Sequence, residues 1–207
     1  MSDTYRTLAS SATIEIKIDG SRFIGEAMPV GNRDAAEDRI AAIQQREHDA
    51  THHCTAYRVG RAGDTFRYND DGEPTGTAGP PLLRQIDARD LTNTLVVVTR
   101  YYGGTKLGTG GLARAYGDAA AEALDAAPIV ERVIRVPVQI EFAYDDTSAA
   151  NRLLQSFDVD VTDRDYTDVT RWTVAVRRSQ VAAFQDAFVN ALADRGTVLQ
   201  VGAEDDR

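Results

Sequence analysis

Lysine is nearly absent from this chain. Of its 207 residues, 23 are basic, and only Lys17 and Lys106 among them carry an ammonium. Arginine supplies the rest. Acids outnumber bases, with 32 Asp and Glu and a formal net charge of −9. Such a surface repels nucleic acid and membranes unless a basic patch is concentrated somewhere. An aspartate-rich, lysine-poor surface suits a halophilic setting, where salt screens charge repulsion. A genome that favours arginine and aspartate gives the same composition. The halophilic reading predicts that KCl raises the melting temperature, and a temperature indifferent to KCl would count against it.

Cysteine is scarcer still: Cys54 stands alone, which excludes an intrachain disulfide. The three histidines, His48, His52 and His53, leave little material for a metal centre. No apolar run is long enough to cross a bilayer. The opening MSDTYRTLAS lacks the basic and apolar regions of a signal peptide. A cytoplasmic protein with no membrane partner is therefore expected. The composition, 43% hydrophobic and 27% charged, is that of a globular protein of one large or two small domains.

Against these absences, the apolar pattern is informative. Ile14, Ile16 and Ile18 alternate with Glu15 and Lys17, and Asp19-Gly20 turns this strand into a second one over Arg22–Met28, a hairpin. Asn32 caps a helix over about Arg33–His48, with Ala36, Ile40 and Ile43 on its apolar face. Strands follow over His53–Val59 and near Thr65–Tyr68. A helix through Leu82, Leu83 and Ile86 comes next, with Pro80 and Pro81 in its first turn. Thr94–Thr99 is a buried strand, and an alanine-rich helix ends before Pro128.

After Pro128 the grammar restarts. Ile134 to Phe142 alternate as a half-buried strand, with Pro137 suggesting a sheet edge. Asp145–Ser148 cap a helix carrying Ala150, Leu153, Leu154 and Phe157. A short strand with Val159 and Val161 and a longer one with Trp172, Val174 and Val176 follow. Ser179 caps a second helix, Gly196 ends it, and Val198–Val201 is the last strand. This order, strand-helix-strand-strand-helix-strand, is the ferredoxin-like unit. The expected class is α+β in two domains, residues 1–131 and 132–207.

Two loops carry the candidate chemistry. RYYGGTKLGTGGLARAYG, from Arg100 to Gly117, holds Gly103, Gly104, Gly108, Gly110 and Gly111 together with Arg100, Lys106 and Arg114. It is a cationic stretch ahead of a helix, where unpaired N–H groups and the helix dipole favour anions. The phosphate-loop pattern fails, since no Gly-Lys-Ser/Thr follows Gly104 at the required spacing. Gly108-x-Gly110-x-x-Ala113 matches the dinucleotide fingerprint only loosely, because too long a loop separates it from its strand. The bland alternative is a turn that lets a helix pack closely on a sheet. Tyr101 and Tyr102 are placed either to stack on bases or to fill the core and cover the loop.

The second loop, DDGEPTGTAG, spans Asp70 to Gly79. Asp70, Asp71 and Glu73 offer weak Mg²⁺ ligands, but the favoured reading is a turn at Asp71-Gly72 with Thr75 or Thr77 capping the next helix. His48, Asp49 and His52 mimic a zinc pair on a helix, yet the chain should change to strand there. Cys54 reads as a buried strand thiol. No metal and no cofactor are expected.

Together, DDGEPTGTAGPPLL and LTNTLVVVTRYYGGTKLGTGGLARAYG resemble the IMPACT/YigZ family. SRFIG at Ser21–Gly25 and THHCTAYRVG at Thr51–Gly60 fit in the same order. The resemblance covers residues 15–125. It implies an N-terminal Impact domain folded as a two-layer α/β sandwich like domain IV of elongation factor G. The rest resembles the family's C-terminal ferredoxin-like domain. The motif residues are Asp71, Gly72, Glu73, Pro74, Gly76, Thr77, Ala78 and Gly79. The second set is Arg100, Tyr101, Gly103, Gly104, Lys106, Leu107, Gly108, Gly110, Gly111 and Arg114. Pro80 stands where the family often has a basic residue, and Tyr102 where phenylalanine is common.

Eukaryotic members restrain a stress-response kinase through an additional N-terminal domain, which this chain is expected to lack. What the resemblance leaves is a translation-associated regulator that binds RNA or the ribosome, or protein partners in translation control. The residues themselves keep two alternatives open. One is an enzyme or small-anion binder with Asp71, Glu73 and His52 as acid/base candidates. The other is an interaction module without chemistry.

Overall fold

The computed structural model describes residues 3–193 and 195–202. The chain is mixed α and β and divides into two compact units. One is Tyr5–Arg132; the other comprises Asp3, Thr4 and the chain from Val133.

The first unit is built on five strands. They are β2 (Ala12–Ile18), β3 (Ser21–Pro29), β4 (His52–Val59), β5 (Thr65–Asn69) and β6 (Thr94–Tyr101), in the order β2-β3-β6-β4-β5. Every neighbouring pair is antiparallel. The central strand, β6, is apolar on both faces because both are covered. Val96 and Val98 face helices α2 (Gly79–Ala88) and α3 (Gly108–Ala126), while Leu95 and Val97 face α1 (Arg33–Arg46). Ala115, Ala119, Ala120 and Ala123 give α3 a buried face of small side chains. No described helix is long and apolar enough to cross a membrane.

Asn32 caps α1 as its position predicts, its side-chain oxygen accepting from the Ala35 N–H at 2.9 Å. The helix ends at Arg46, two residues before His48. A further strand, β1 (Thr4–Leu8), has no counterpart in the sequence reading. It pairs with β7 (Ile129–Val133).

The second unit carries β8 (Arg135–Phe142), α4 (Thr147–Leu154), β9 (Val159–Tyr166), β10 (Thr170–Arg177), α5 (Val181–Ala191) and β11 (Thr197–Val201). Sheet order β11-β8-β10-β9, with every pair antiparallel, is the ferredoxin-like arrangement. Aromatic edges organise its core. Phe142 and Trp172 meet at 4.9 Å and Phe157 and Phe184 at 5.4 Å, near perpendicular. Such pairs add about 0.5–1.5 kcal/mol each beyond the area they bury.

Three local expectations fail here. β8 is a central strand, so Pro137 is not at an edge. Its carbonyl accepts from the Gly202 N–H at 2.7 Å, just past the last residue of β11. In an antiparallel strand the nitrogen of a residue points the same way as its carbonyl, so the missing donor falls where the β11 ladder has ended. Neither Asp146 nor Ser179 caps its helix. The Asp146 carboxylate holds Arg195, and the Ser179 hydroxyl donates to Asp3. Gly196 does not end α5 either; the chain leaves that helix through Ala193, at φ +46°.

Candidate functional site

The loop between β5 and α2 is organised by Asp70. Its Oδ2 accepts from the Gly76 N–H, and its Oδ1 from the N–H groups of Ala78 and Gly79, at 2.8–2.9 Å. This carboxylate therefore caps α2 from outside the helix. The expected caps are not used: Thr77 donates its hydroxyl to the Pro74 carbonyl. Asp71 and Gly72, at φ +41° and +84°, form the turn. The Asp71 carboxylate accepts from the His53 N–H at 2.6 Å, and its carbonyl pairs with His52 Nδ1 at 2.7 Å. Asp70 and Asp71 thus direct their charge at peptide N–H groups, the wrong arrangement for a Mg²⁺ site. Among the described residues, no three His, Cys, Asp or Glu converge as metal ligands. His48 and His52 share no helix, since α1 ends before the first and β4 begins at the second.

Glu73 points inward. It accepts from Arg100 Nη1 at 2.5 Å and from the Tyr116 hydroxyl at 2.8 Å, and His52 Nε2 lies 3.8 Å away. Arg100 Nη2 donates to Ser21 Oγ, which also accepts from the Gly103 N–H at 3.1 Å. One buried network thereby joins the Asp70–Gly79 loop, β3, β6 and α3. The Arg100 charge is met by Glu73 rather than offered to solvent, contrary to its expected role as an anion contact. Arg100 Nε has no hydrogen-bond partner. Cys54 lies beneath this network. Burial pushes its thiol far above the usual range, which favours the protonated form, and it donates to the Asp70 carbonyl at 3.1 Å. Burial raises the Tyr116 hydroxyl as well, so it stays protonated and donates.

The glycine stretch follows β6. Tyr101 turns to the opposite face from Arg100: its hydroxyl donates to Glu47 and Arg22 lies over its ring at 4.2 Å. Tyr102 stays on the cleft side and is 47% exposed. Gly103 is required by close approach, since a Cβ there would lie 1.8 Å from the Gly20 carbonyl oxygen. Gly104 follows at φ +87°. At Gly108, φ is +70°, and α3 starts there with no side-chain cap. Its opening residues are Gly108, Thr109, Gly110 and Gly111, and nothing lies within 4 Å of where a Gly110 Cβ would sit.

Both loops line one cleft of about 270 Å³. Glu73 and Pro74 come from the first, and Arg100, Tyr102, Lys106, Leu107, Gly108 and Thr109 from the second, with Leu112 behind. The two helix starts differ sharply. Asp70 occupies the N–H groups at the start of α2, whereas those at the start of α3 meet no side chain. A helix N-terminus carries a partial positive charge of about half a proton. Lys106, exposed on the rim, makes no ion pair among the described residues. Arg114 is exposed and also without an ion pair, but does not line the cleft. At about 100° per residue it lies on a different side of α3 from Leu112. Sequence reasoning missed Ser21, Leu112 and Tyr116. Strand alternation from Arg100 would have chosen Tyr102 over Tyr101, but Ser21 is 79 residues from its partner Arg100.

Residues 19–124 match the family model for the Impact N-terminal domain, and residues 140–195 match a domain of unknown function, DUF1949. The chain belongs to the IMPACT family. It is 33% identical to the IMPACT family member YigZ of Escherichia coli over 178 residues, which cover 85% of this chain and 87% of that one. An IMPACT family member of Haemophilus influenzae is 30% identical over 96% of this chain and 98% of its own. YvyE of Bacillus subtilis is 44% identical over 132 residues, and the match spans 61% of that relative's length. A crystal structure of a hypothetical protein superposes with a TM-score of 0.73 at 28% identity, covering 99% of this chain and all of that one. In this IMPACT family chain, both halves of the motif that carried the resemblance line the same cleft.

Proposed function

We propose that this IMPACT family member is a translation-associated regulatory protein that binds RNA, free or within the ribosome, through the cleft. The observation that carries this reading is the joint lining by the two loops, with Lys106 and the uncapped start of α3 on one rim. Those groups attract phosphate within a chain whose net charge of −9 otherwise repels it. The exposed Tyr102 ring adds a stacking surface. An acid/base role is less well supported, because Asp71, Glu73 and His52 each already hold a protein partner.

Fluorescence anisotropy with a labelled RNA strand tests the reading. Lys106→Ala is expected to weaken binding and to reduce the slope of log affinity against log salt by about 0.7–0.9. Arg114→Ala, away from the cleft, is expected to weaken binding less. Unchanged RNA retention by the double variant at moderate salt would rule out this site.

A further inference from the structure

We propose that the cleft admits one unstacked nucleotide, so that the protein selects single-stranded RNA over duplex; this rests on the RNA-binding reading above. The cleft, about 270 Å³, falls just below the usual range of ligand pockets, about 300 to 1,000 Å³. A base fits such a volume and a helical stack does not. Its walls are apolar where a base would lie: Pro74, Tyr102, Leu107 and Leu112. The cationic groups, Lys106 and the N–H groups of Gly108 and Thr109, sit together on the α3 side, where the attached phosphate would lie.

A third observation points to a ligand. Arg100 lines the cleft and is only 4% exposed, yet its Nε lacks any hydrogen-bond partner. Buried donors of this kind are ordinarily satisfied. Nε is covered as it stands, so the side chain must shift for an oxygen or ring-nitrogen acceptor on an inserted base to reach it. The Arg100 guanidinium lies 5.4 Å from the Tyr102 ring centroid, which ties the stacking surface to the orphaned donor. In a duplex both base faces are stacked and the pairing edges are occupied, so entry requires melting.

The test compares an unstructured RNA strand with a blunt duplex of the same sequence, at one salt concentration, on the full chain. The single strand is expected to bind at least about tenfold more tightly. Tyr102→Ala is expected to cost about 5- to 100-fold on the single strand, with Tyr102→Phe close to wild type. Thermal melts confirm that each variant folds. Equal affinity for duplex overturns the proposal. So does a neutral Tyr102→Ala beside a weakened Lys106→Ala, a result that leaves the RNA-binding reading intact. Failure to bind either RNA overturns both.

Discussion

Glu73→Leu is expected to destabilise the Tyr5–Arg132 unit by about 3–5 kcal/mol, the usual cost of removing one partner from a buried ion pair. The Glu73 and Arg100 side chains are 4% and 5% exposed, so water cannot replace the lost carboxylate. The Arg100 guanidinium would keep one hydrogen bond, to Ser21, with Nε already unpartnered. The Tyr116 hydroxyl would lose its acceptor too. Exposed pairs such as Arg67–Glu37 contribute about 0–1 kcal/mol, so their removal gives the baseline. Adding Arg100→Leu should recover part of the loss, because an uncompensated charge costs more than an apolar pair of similar volume. Urea unfolding followed by circular dichroism measures all three. A Glu73→Leu loss below about 1 kcal/mol would show that the network does not hold the loops together.

The second large effect is at Gly103. Gly103→Ala places a Cβ 1.8 Å from the Gly20 oxygen and 2.4 Å from the Ser21 nitrogen, both backbone atoms that no rotamer can move. Either the β2–β3 turn or the glycine loop must shift, breaking the Gly103 N–H bond to Ser21. Overpacking of this kind costs about 1–3 kcal/mol, and this clash lies at the severe end. Gly110→Ala is the contrast. Its Cβ would meet nothing within 4 Å, and alanine favours the helix by about 0.5–1 kcal/mol. Melting temperatures of the two variants should therefore move in opposite directions. Equal losses would mean that the stretch is one packing unit, with no open surface at the start of α3.

The sequence was legible where a signal is local or periodic. Asn32 lies directly before its helix, and alternation from Ile134 to Phe142 set out the first strand of the ferredoxin-like unit. It was opaque where one side chain serves a distant partner. Asp70 reaches Gly79, nine residues on, whereas proximity favours Thr75 or Thr77 as the cap. Ser179 was diverted by Asp3, 176 residues away. Pro137 misled because its position depends on where β11 stops. At the candidate site, the cationic character of Lys106 was readable and the neutralisation of Arg100 was not. Nothing in either loop alone shows that Glu73 meets Arg100 across 27 residues.

Phosphate is proposed to bind at the start of α3. Backbone amide shifts of isotope-labelled protein, followed during titration with an unstructured RNA strand, test it most directly. The largest changes are expected at Lys106, Gly108, Thr109 and Gly110. Ala78 and Gly79, whose N–H groups Asp70 already occupies, should barely move. Shifts confined to other surfaces, with the α3 amides unmoved at saturation, would contradict it.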